Sequence, residues 1–446
     1  MEDEEETPKD SSSGRLVTIR PTYSTFVEKV KLICAGSSFQ CSMFCGGREC
    51  KYENHNHWAE DHQAIPGIFS HWVTDDILAM SRPSTRLISD LHLLDHFKRA
   101  GITTIINLQL PGEHSHCGPG LGKSGFTYEP EDIMRNDMFF YNYGWIDYGV
   151  PTRESLLNMV KVVTFALQSG KVAIHCHAGL GRTGVLIACY LVFGLRLSWE
   201  EAVLTVRTKR PGSVQSSVQM EMIQQFSEFV VPLRRVFPEP PSHVDTFQSY
   251  LRNQSLILHG PEFKTLKHIP KALYEVCRLL KAQASSVPHP PSTDAPIGAH
   301  PFLPCFLQEN TAEGMQSEAK ELASSLNRTG DWTLLHERGA PVLFALLFAF
   351  LAHIKEPLLT TPEAEKMAEK QSLDTLCESK YATIKCILGM LKVVFPECII
   401  AELGGAIADR LLQALLQAPH ATASTSDPQL ASCWPILTAL FISNLH

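Results

Sequence analysis

Apolar residues recur along this chain in two rhythms. Between about 60 and 235, short apolar runs alternate with stretches in which apolar residues return at helical spacing. The runs TTIINLQ (103–109), FFYNYGW (139–145) and KVAIHC (171–176) are short and rich in β-branched or aromatic residues, and they predict strands. ESLLNMVKVVTFALQS (154–169) places Leu156, Val160, Val163 and Leu167 on one side and predicts a helix. RTGVLIACYLVFGL (182–195) predicts another. SWEEAVLTVRTKR (198–210) opens on Ser198 with Glu201, a capping box, and predicts a third. Strands separated by helices point to an α/β domain with a mostly parallel sheet flanked by helices.

The pattern changes after FPEPPSHV (237–244). Two helical patterns follow, at 245–258 and 264–283, then a Pro/Ser-rich stretch, SSVPHPPSTDAPIGAHPFLP (285–304), that reads as a linker. From 313 onward the rhythm is helical, with no strand signal and no internal repeat. The resulting division is an acidic, disordered start at 1–20, a Cys-rich segment at 21–60 and an α/β domain at 61–236. A helical extension at 237–283, a linker at 284–312 and an all-α region at 313–446 complete it.

Composition narrows the function classes. The chain has 446 residues, 44% of them hydrophobic, enough for more than one core. A net charge of −8 gives no reason to expect a nucleic-acid partner. The start, MEDEEETPKD, has no apolar stretch of the kind that directs secretion. The longest apolar run, VLFALLFAFLA (342–352), is 11 residues, too short to span a bilayer, and predicts a buried helix. The 13 cysteines are then expected to be mostly reduced thiols in a cytoplasmic protein.

The candidate chemistry lies at the end of the run at 171–176. In HCHAGLGRTG (175–184), Cys176 ends a strand and Arg182 opens a helix. Between them lie His177, Ala178, Gly179, Leu180 and Gly181. Small residues let successive backbone N–H groups turn to one side and cradle an anion, and the helix adds its positive end. Arg182 can clamp two oxygens of a phosphate in fork geometry. The same field stabilises a thiolate at Cys176 and makes it a nucleophile, with the Thr183 hydroxyl placed to donate to its sulfur.

These ten residues carry the His-Cys-x5-Arg-Thr form of the protein tyrosine phosphatase signature. They are most similar to dual-specificity phosphatases of the mitotic-exit type. Together with WVTDDILAMSRPST (72–85), the motifs resemble the protein tyrosine phosphatase domain-containing protein 1 family over about 20–260, and more faintly over 315–415. The resemblance implies the cysteine-phosphatase fold and a two-step reaction without metal or other cofactor. WIDYGVPT (145–152) resembles the family's Trp-Pro-Asp loop, with Ile146 in place of the proline, and makes Asp147 the general acid and Trp145 an anchor. RPGSVQSSVQMEMI (210–223) resembles the glutamine loop, with Gln219 as the water-positioning residue and Gln215 as the alternative. Cys176 then attacks phosphorus while Asp147 protonates the leaving oxygen, and a water held by Gln219 cleaves the phosphocysteine. Glu113 or His114, in PGEHSHCGPG (111–120), is placed to line the pocket.

The implied substrate is a phosphoprotein, at phosphotyrosine with phosphoserine or phosphothreonine also open. The family's centrosome and cilium associations are implied by resemblance alone. The rival reading is a phosphate-binding pseudophosphatase that acts as a scaffold, with a protein partner on the C-terminal helices. His177, the one ionisable group of the loop, is read as facing outward or meeting an acidic neighbour of the phosphosite. The Cys-x3-Cys-x4-Cys run of Cys41, Cys45 and Cys50, near His55 and His57, is not a standard zinc knuckle and is read as a reduced packing element.

Overall fold

The computed structural model describes residues 45–238, 246–286, 300–307, 313–418 and 428–446, with scattered positions before 45 that include Tyr23 and Cys41. The acidic start at 1–18 lies outside the described residues, as does most of the Pro/Ser-rich stretch. The chain divides into two compact units, Met1–Val230 and Val231–His446.

The first unit is built on a five-stranded sheet: β1 (Ser70–Trp72), β2 (Ile77–Met80), β3 (Ile102–Asn107), β4 (Phe139–Asn142) and β5 (Lys171–His175). Their spatial order is β1-β2-β5-β3-β4. Only the β1–β2 pair is antiparallel. β5 is central because Val172, Ala173 and Ile174 are buried on both faces, the requirement for an interior parallel strand. β4, half-exposed along its length, is an edge. β1 and β2 escaped the sequence reading, since three- and four-residue strands carry too little alternation to register.

Among residues 45–238, the α-helices beside the sheet are α1 (Thr85–Asp90), α2 (Leu93–Arg99), α3 (Pro130–Arg135), α4 (Arg153–Ala166), α5 (Gly181–Gly194), α6 (Trp199–Lys209) and α7 (Ser217–Leu233). α5 is buried almost all round, from Val185 to Val192. α4 is capped by Thr152, whose hydroxyl accepts from Ser155 N, and buries Leu156, Val160 and Val163. The Ser198–Glu201 capping box opens α6 as the sequence predicts.

Register decides where the chemistry sits. His175 at the end of β5 pairs with Met80 of β2 and Asn107 of β3, and Asn107 pairs with Asn142 of β4. All four parallel strands therefore end at one edge. The loops that follow them, at 81–84, 108–120, 143–152 and 176–180, emerge together there, where open α/β sheets bind ligands.

The second unit is helical throughout its described residues. After α8 (Phe247–Ile257), α9 (Gly260–Leu266) and α10 (Lys271–Ser286) stand where one helix was expected over 264–283. Pro270 separates them, because it lacks the N–H that a continuing helix needs. α11 (Leu303–Leu307), α12 (Glu313–Thr329), α13 (Ala340–His353), α14 (Thr361–Lys370), α15 (Glu378–Val394), α16 (Glu397–Leu416) and α17 (Pro428–Leu445) follow. The apolar run expected to be a buried helix is α13, with Leu343, Phe344, Leu346, Leu347, Phe350 and Leu351 in the core. No helix among the described residues is long and apolar enough to cross a membrane.

Candidate active site

The loop between β5 and α5 has every carbonyl from Cys176 to Leu180 engaged by a partner. Cys176 O faces His175 Nδ1 at 3.1 Å, and His177 O accepts from Arg82 N at 3.0 Å. Ala178 O accepts from Arg210 Nη2 at 2.9 Å, and Gly179 O accepts from Arg210 Nε. Leu180 O accepts from Gly184 N and Val214 N. With the carbonyls engaged outward, the N–H groups are left to the concave side, at the N-terminus of a 14-residue helix. Gly179 has φ +67°, and a Cβ there would lie 1.9 Å from Met80 O, so the loop passes β2 only as glycine.

Arg210 was not singled out from the sequence. It is completely buried, stacked on the Phe69 ring at 4.2 Å, and bonded through Nη1 to His71 Nδ1 at 2.7 Å. Burial lowers its pKa to about 9, so it stays charged at neutral pH. Its position just after α6, beside a Pro-Gly turn, gave no local pattern to distinguish it from a surface cation.

Arg182 is also completely buried. Its Nη1 donates to Leu108 O (3.0 Å), Trp145 O (2.7 Å) and both oxygens of Glu113 (3.1 and 2.8 Å). Its Nε lies 3.3 Å from Asp147 Oδ1. Its Nη2 is buried with no hydrogen-bond partner among the described residues. One guanidinium thus gathers the loops after β3 and β4, and one of its N–H-bearing corners is unpaired.

Asp147 lies where the sequence motif puts it. Its Oδ2 is 3.3 Å from His114 Nε2, and Trp145 Nε1 donates to Gly149 O at 3.1 Å, tying off the loop. Burial pushes the Asp147 carboxyl up, but Arg182 and then His114 outweigh it and hold it well below the ordinary carboxylate range. Burial raises Glu113, against the pull of Arg182. Of the two pocket candidates in the 111–120 loop, Glu113 is bonded to Arg182 and His114 lies against Asp147.

Gln219 is buried, with Oε1 accepting from Gln215 N at 2.8 Å. A Cβ added at Gly181 would lie 2.9 Å from Gln219 Nε2 and 3.3 Å from Gln215 Oε1. Both glutamines thus border the cradle, and Gln219 is pinned at its oxygen end.

Two expectations differ. The Thr183 hydroxyl is buried but has no hydrogen-bond partner among the described residues, so the expected bond to the Cys176 sulfur is not made here. His177 does not face outward: its ring stacks on His114 at 3.9 Å and meets Tyr52 edge-on, with Nε2 3.5 Å from Cys50 Sγ. Only its backbone is left to serve the cradle.

Residues 90–229 match the family model described as dual specificity phosphatase, catalytic domain. The chain is 50% identical over 282 residues to the mouse (Mus musculus) protein tyrosine phosphatase domain-containing protein 1, covering 63% of this chain and 37% of that protein. The zebrafish (Danio rerio) protein of the same name is 49% identical over 261 residues, covering 58% and 36%. The mouse dual specificity protein phosphatase CDC14B is 27% identical over 276 residues, covering 60% and 49%. Among solved structures, Tk-PTP in its active form is similar at a TM-score of 0.30 and 24% identity, over 36% of this chain and 96% of that one. The chain spans little more than a third of the length of the first two relatives. The sheet and its flanking helices have the cysteine-phosphatase fold, and the likeness places the chain beside phosphatases.

Proposed function

We propose that this chain is a protein phosphatase that hydrolyses phosphotyrosine, and phosphoserine or phosphothreonine, through a phosphocysteine at Cys176. The observation that carries the reading is the cradle from Cys176 to Arg182. Its carbonyls from Cys176 to Leu180 are all engaged elsewhere, and Nη2 of the buried Arg182 has no hydrogen-bond partner among the described residues. A tetrahedral dianion suits that arrangement, because backbone N–H groups and a fork of guanidinium N–H groups stabilise charge spread over three oxygens.

The steps follow from the neighbours. The thiolate of Cys176 attacks phosphorus in line, and Asp147 delivers a proton to the departing oxygen. Asp147 is held ionised by Arg182 and His114. A bound dianion takes up part of the Arg182 field and raises the carboxyl toward the protonated form that a general acid needs. Gln219, pinned at its oxygen, then orients water for attack on the phosphocysteine, with Asp147 taking the proton back.

A cytoplasmic, phosphoprotein-directed role belongs to the same proposal. The scaffold reading, with a partner on the C-terminal helices, shares the cradle and differs in turnover. Hydrolysis of an aryl phosphate by the full chain separates them. The expected result is turnover by wild type, none by Cys176→Ser, and a loss of roughly 10²–10⁴-fold in kcat with retained binding for Asp147→Ala. Equal rates for wild type and Cys176→Ser, or tight phosphopeptide binding with no wild-type turnover, would overturn it.

A further inference from the structure

Four buried thiols converge beside the site, and the proposed reaction uses none of them. Cys41, Cys45 and Cys50 come from the Cys-rich segment, and Cys117 comes from the loop after β3. Cys45 Sγ is 3.2 Å from Cys117 Sγ, Cys41 Sγ is 3.5 Å from His114 Nδ1, and Cys117 Sγ is 3.9 Å from the same nitrogen. One ligand atom from each of Cys41, Cys45, His114 and Cys117 falls within 4.8 Å of the others. A second group, Cys45, Cys50, Cys117 and His177, satisfies the same limit. His55 and His57, near in sequence, are in neither group.

The frame around the thiols is built. Arg82, almost wholly buried, pairs with Glu53 just past Cys50, and donates to the carbonyls of Glu113 (3.3 Å), His114 (3.2 Å) and Cys117 (3.2 Å). One guanidinium therefore fixes both segments. Gly118 N donates to Gly47 O at 3.1 Å. Gly118 has φ +60°, a conformation that favours glycine, and a Cβ there would lie 1.8 Å from Glu53 Oε2, so a side chain would displace the Glu53 carboxylate. Thiols packed merely as apolar side chains need no such latch.

We propose that this chain binds one zinc ion through the thiolates of Cys41, Cys45 and Cys117 and Nδ1 of His114. A tetrahedral site with Zn–S near 2.3 Å and Zn–N near 2.0 Å spaces its ligand atoms roughly 3.5–3.8 Å apart. The Cys41–His114 pair at 3.5 Å has that spacing, and the Cys117–His114 pair at 3.9 Å and the Cys45–Cys117 pair at 3.2 Å lie within roughly 0.6 Å of it. His114 is preferred to His177 by its other nitrogen. A metal-bound histidine donates that N–H to a fixed acceptor, and His114 Nε2 faces Asp147 Oδ2 at 3.3 Å. His177 Nδ1 is buried with no hydrogen-bond partner among the described residues. Binding requires three thiolates and an unprotonated Nδ1 on His114, and each proton those four groups carry is released to solvent. The nonstandard Cys-x3-Cys-x4-Cys spacing follows, since the set is completed from a distant loop. The ion sets the His114 tautomer, and through it the donor that holds the Asp147 loop.

The test uses the full chain, expressed with zinc and purified under reducing conditions. Metal analysis is expected to give one zinc per chain, retained through dialysis. Replacement by Co²⁺ is expected to give thiolate-to-cobalt charge-transfer absorption with tetrahedral visible bands. Cys45→Ser and Cys117→Ser should lose the metal, and Cys50→Ser should keep it. If the serine variants fail to fold, the cobalt spectrum of the unaltered chain decides. Wild type without zinc and without a cobalt–thiolate spectrum, or a Cys45–Cys117 disulfide by mass spectrometry, would overturn the site. Metal lost in Cys50→Ser but kept in His114→Gln would overturn this ligand set.

Discussion

Arg210 shows how one buried cation shapes a site without touching the reacting atoms. It takes up the carbonyls of Ala178 and Gly179, so the peptide groups between them turn their N–H ends inward. Arg210→Met leaves both carbonyls without their buried donor, at about 1–3 kcal/mol for each. The expected outcome is a lower melting temperature together with loss of aryl phosphate hydrolysis. Arg210→Lys should restore little, because one ammonium cannot reproduce the fork. His175 is a second case. Burial lowers its pKa to about 3, with the ring held neutral between Tyr128 OH at 2.7 Å and Cys176 O at 3.1 Å. Above pH 6.5 neither the folded nor the unfolded chain protonates this ring, and stability is flat in this respect. As pH falls from 6.5 toward 3, the unfolded chain binds a proton that the folded chain does not. Folding is then weakened by roughly 1.4 kcal/mol per pH unit. His71 and His177 are lowered with the same sign, to about 4 and about 3. Urea midpoints between pH 7 and 5 should therefore fall on acidification, and His175→Gln should make that fall shallower.

At the scale of elements, the loops are placed by what anchors their ends. α6 begins at its capping box, where Ser198 Oγ accepts from Glu201 N at 3.2 Å and Glu201 Oε2 accepts from Ser198 N at 2.9 Å. Ser198→Ala should cost about 1 kcal/mol. A calorimetric melt should shift down by a few degrees while kcat for an aryl phosphate holds. That cap, the strand into Cys176 and the helix after it were all legible, because each is written in contiguous residues. Other parts were not. β1 and β2 are too short for periodicity, and the break at Pro270 was hidden within an apolar pattern that continues across it. Arg82, Arg210 and Cys117 act through partners far away in sequence: Arg210 Nη1 bonds His71, and Arg82 bonds both Glu53 and the 113–117 loop. A single sequence shows such residues as ordinary cations or a stray thiol, because pairing across loops leaves no local period. The inward turn of His177 belongs here too, since a loop residue's exposure is set by what packs over it.

At the scale of the whole molecule, the chain carries a phosphatase-like α/β unit and a helical unit, each with its own core. The first unit brings the loops after four parallel strands to one edge, and the cradle with Arg182, the Asp147 loop and Gln219 come from three separate stretches of the chain. In the proposed reaction, phosphate passes through the sulfur of Cys176. The most direct measurement is acid quenching of the full chain during turnover of a ³²P-labelled phosphopeptide, followed by peptide mapping. Label is expected on the peptide that contains Cys176, more of it in Gln219→Ala, where the second step is slowed, and none in Cys176→Ser. Turnover with no labelled protein under any quench, or label on a histidine or serine instead, would contradict it.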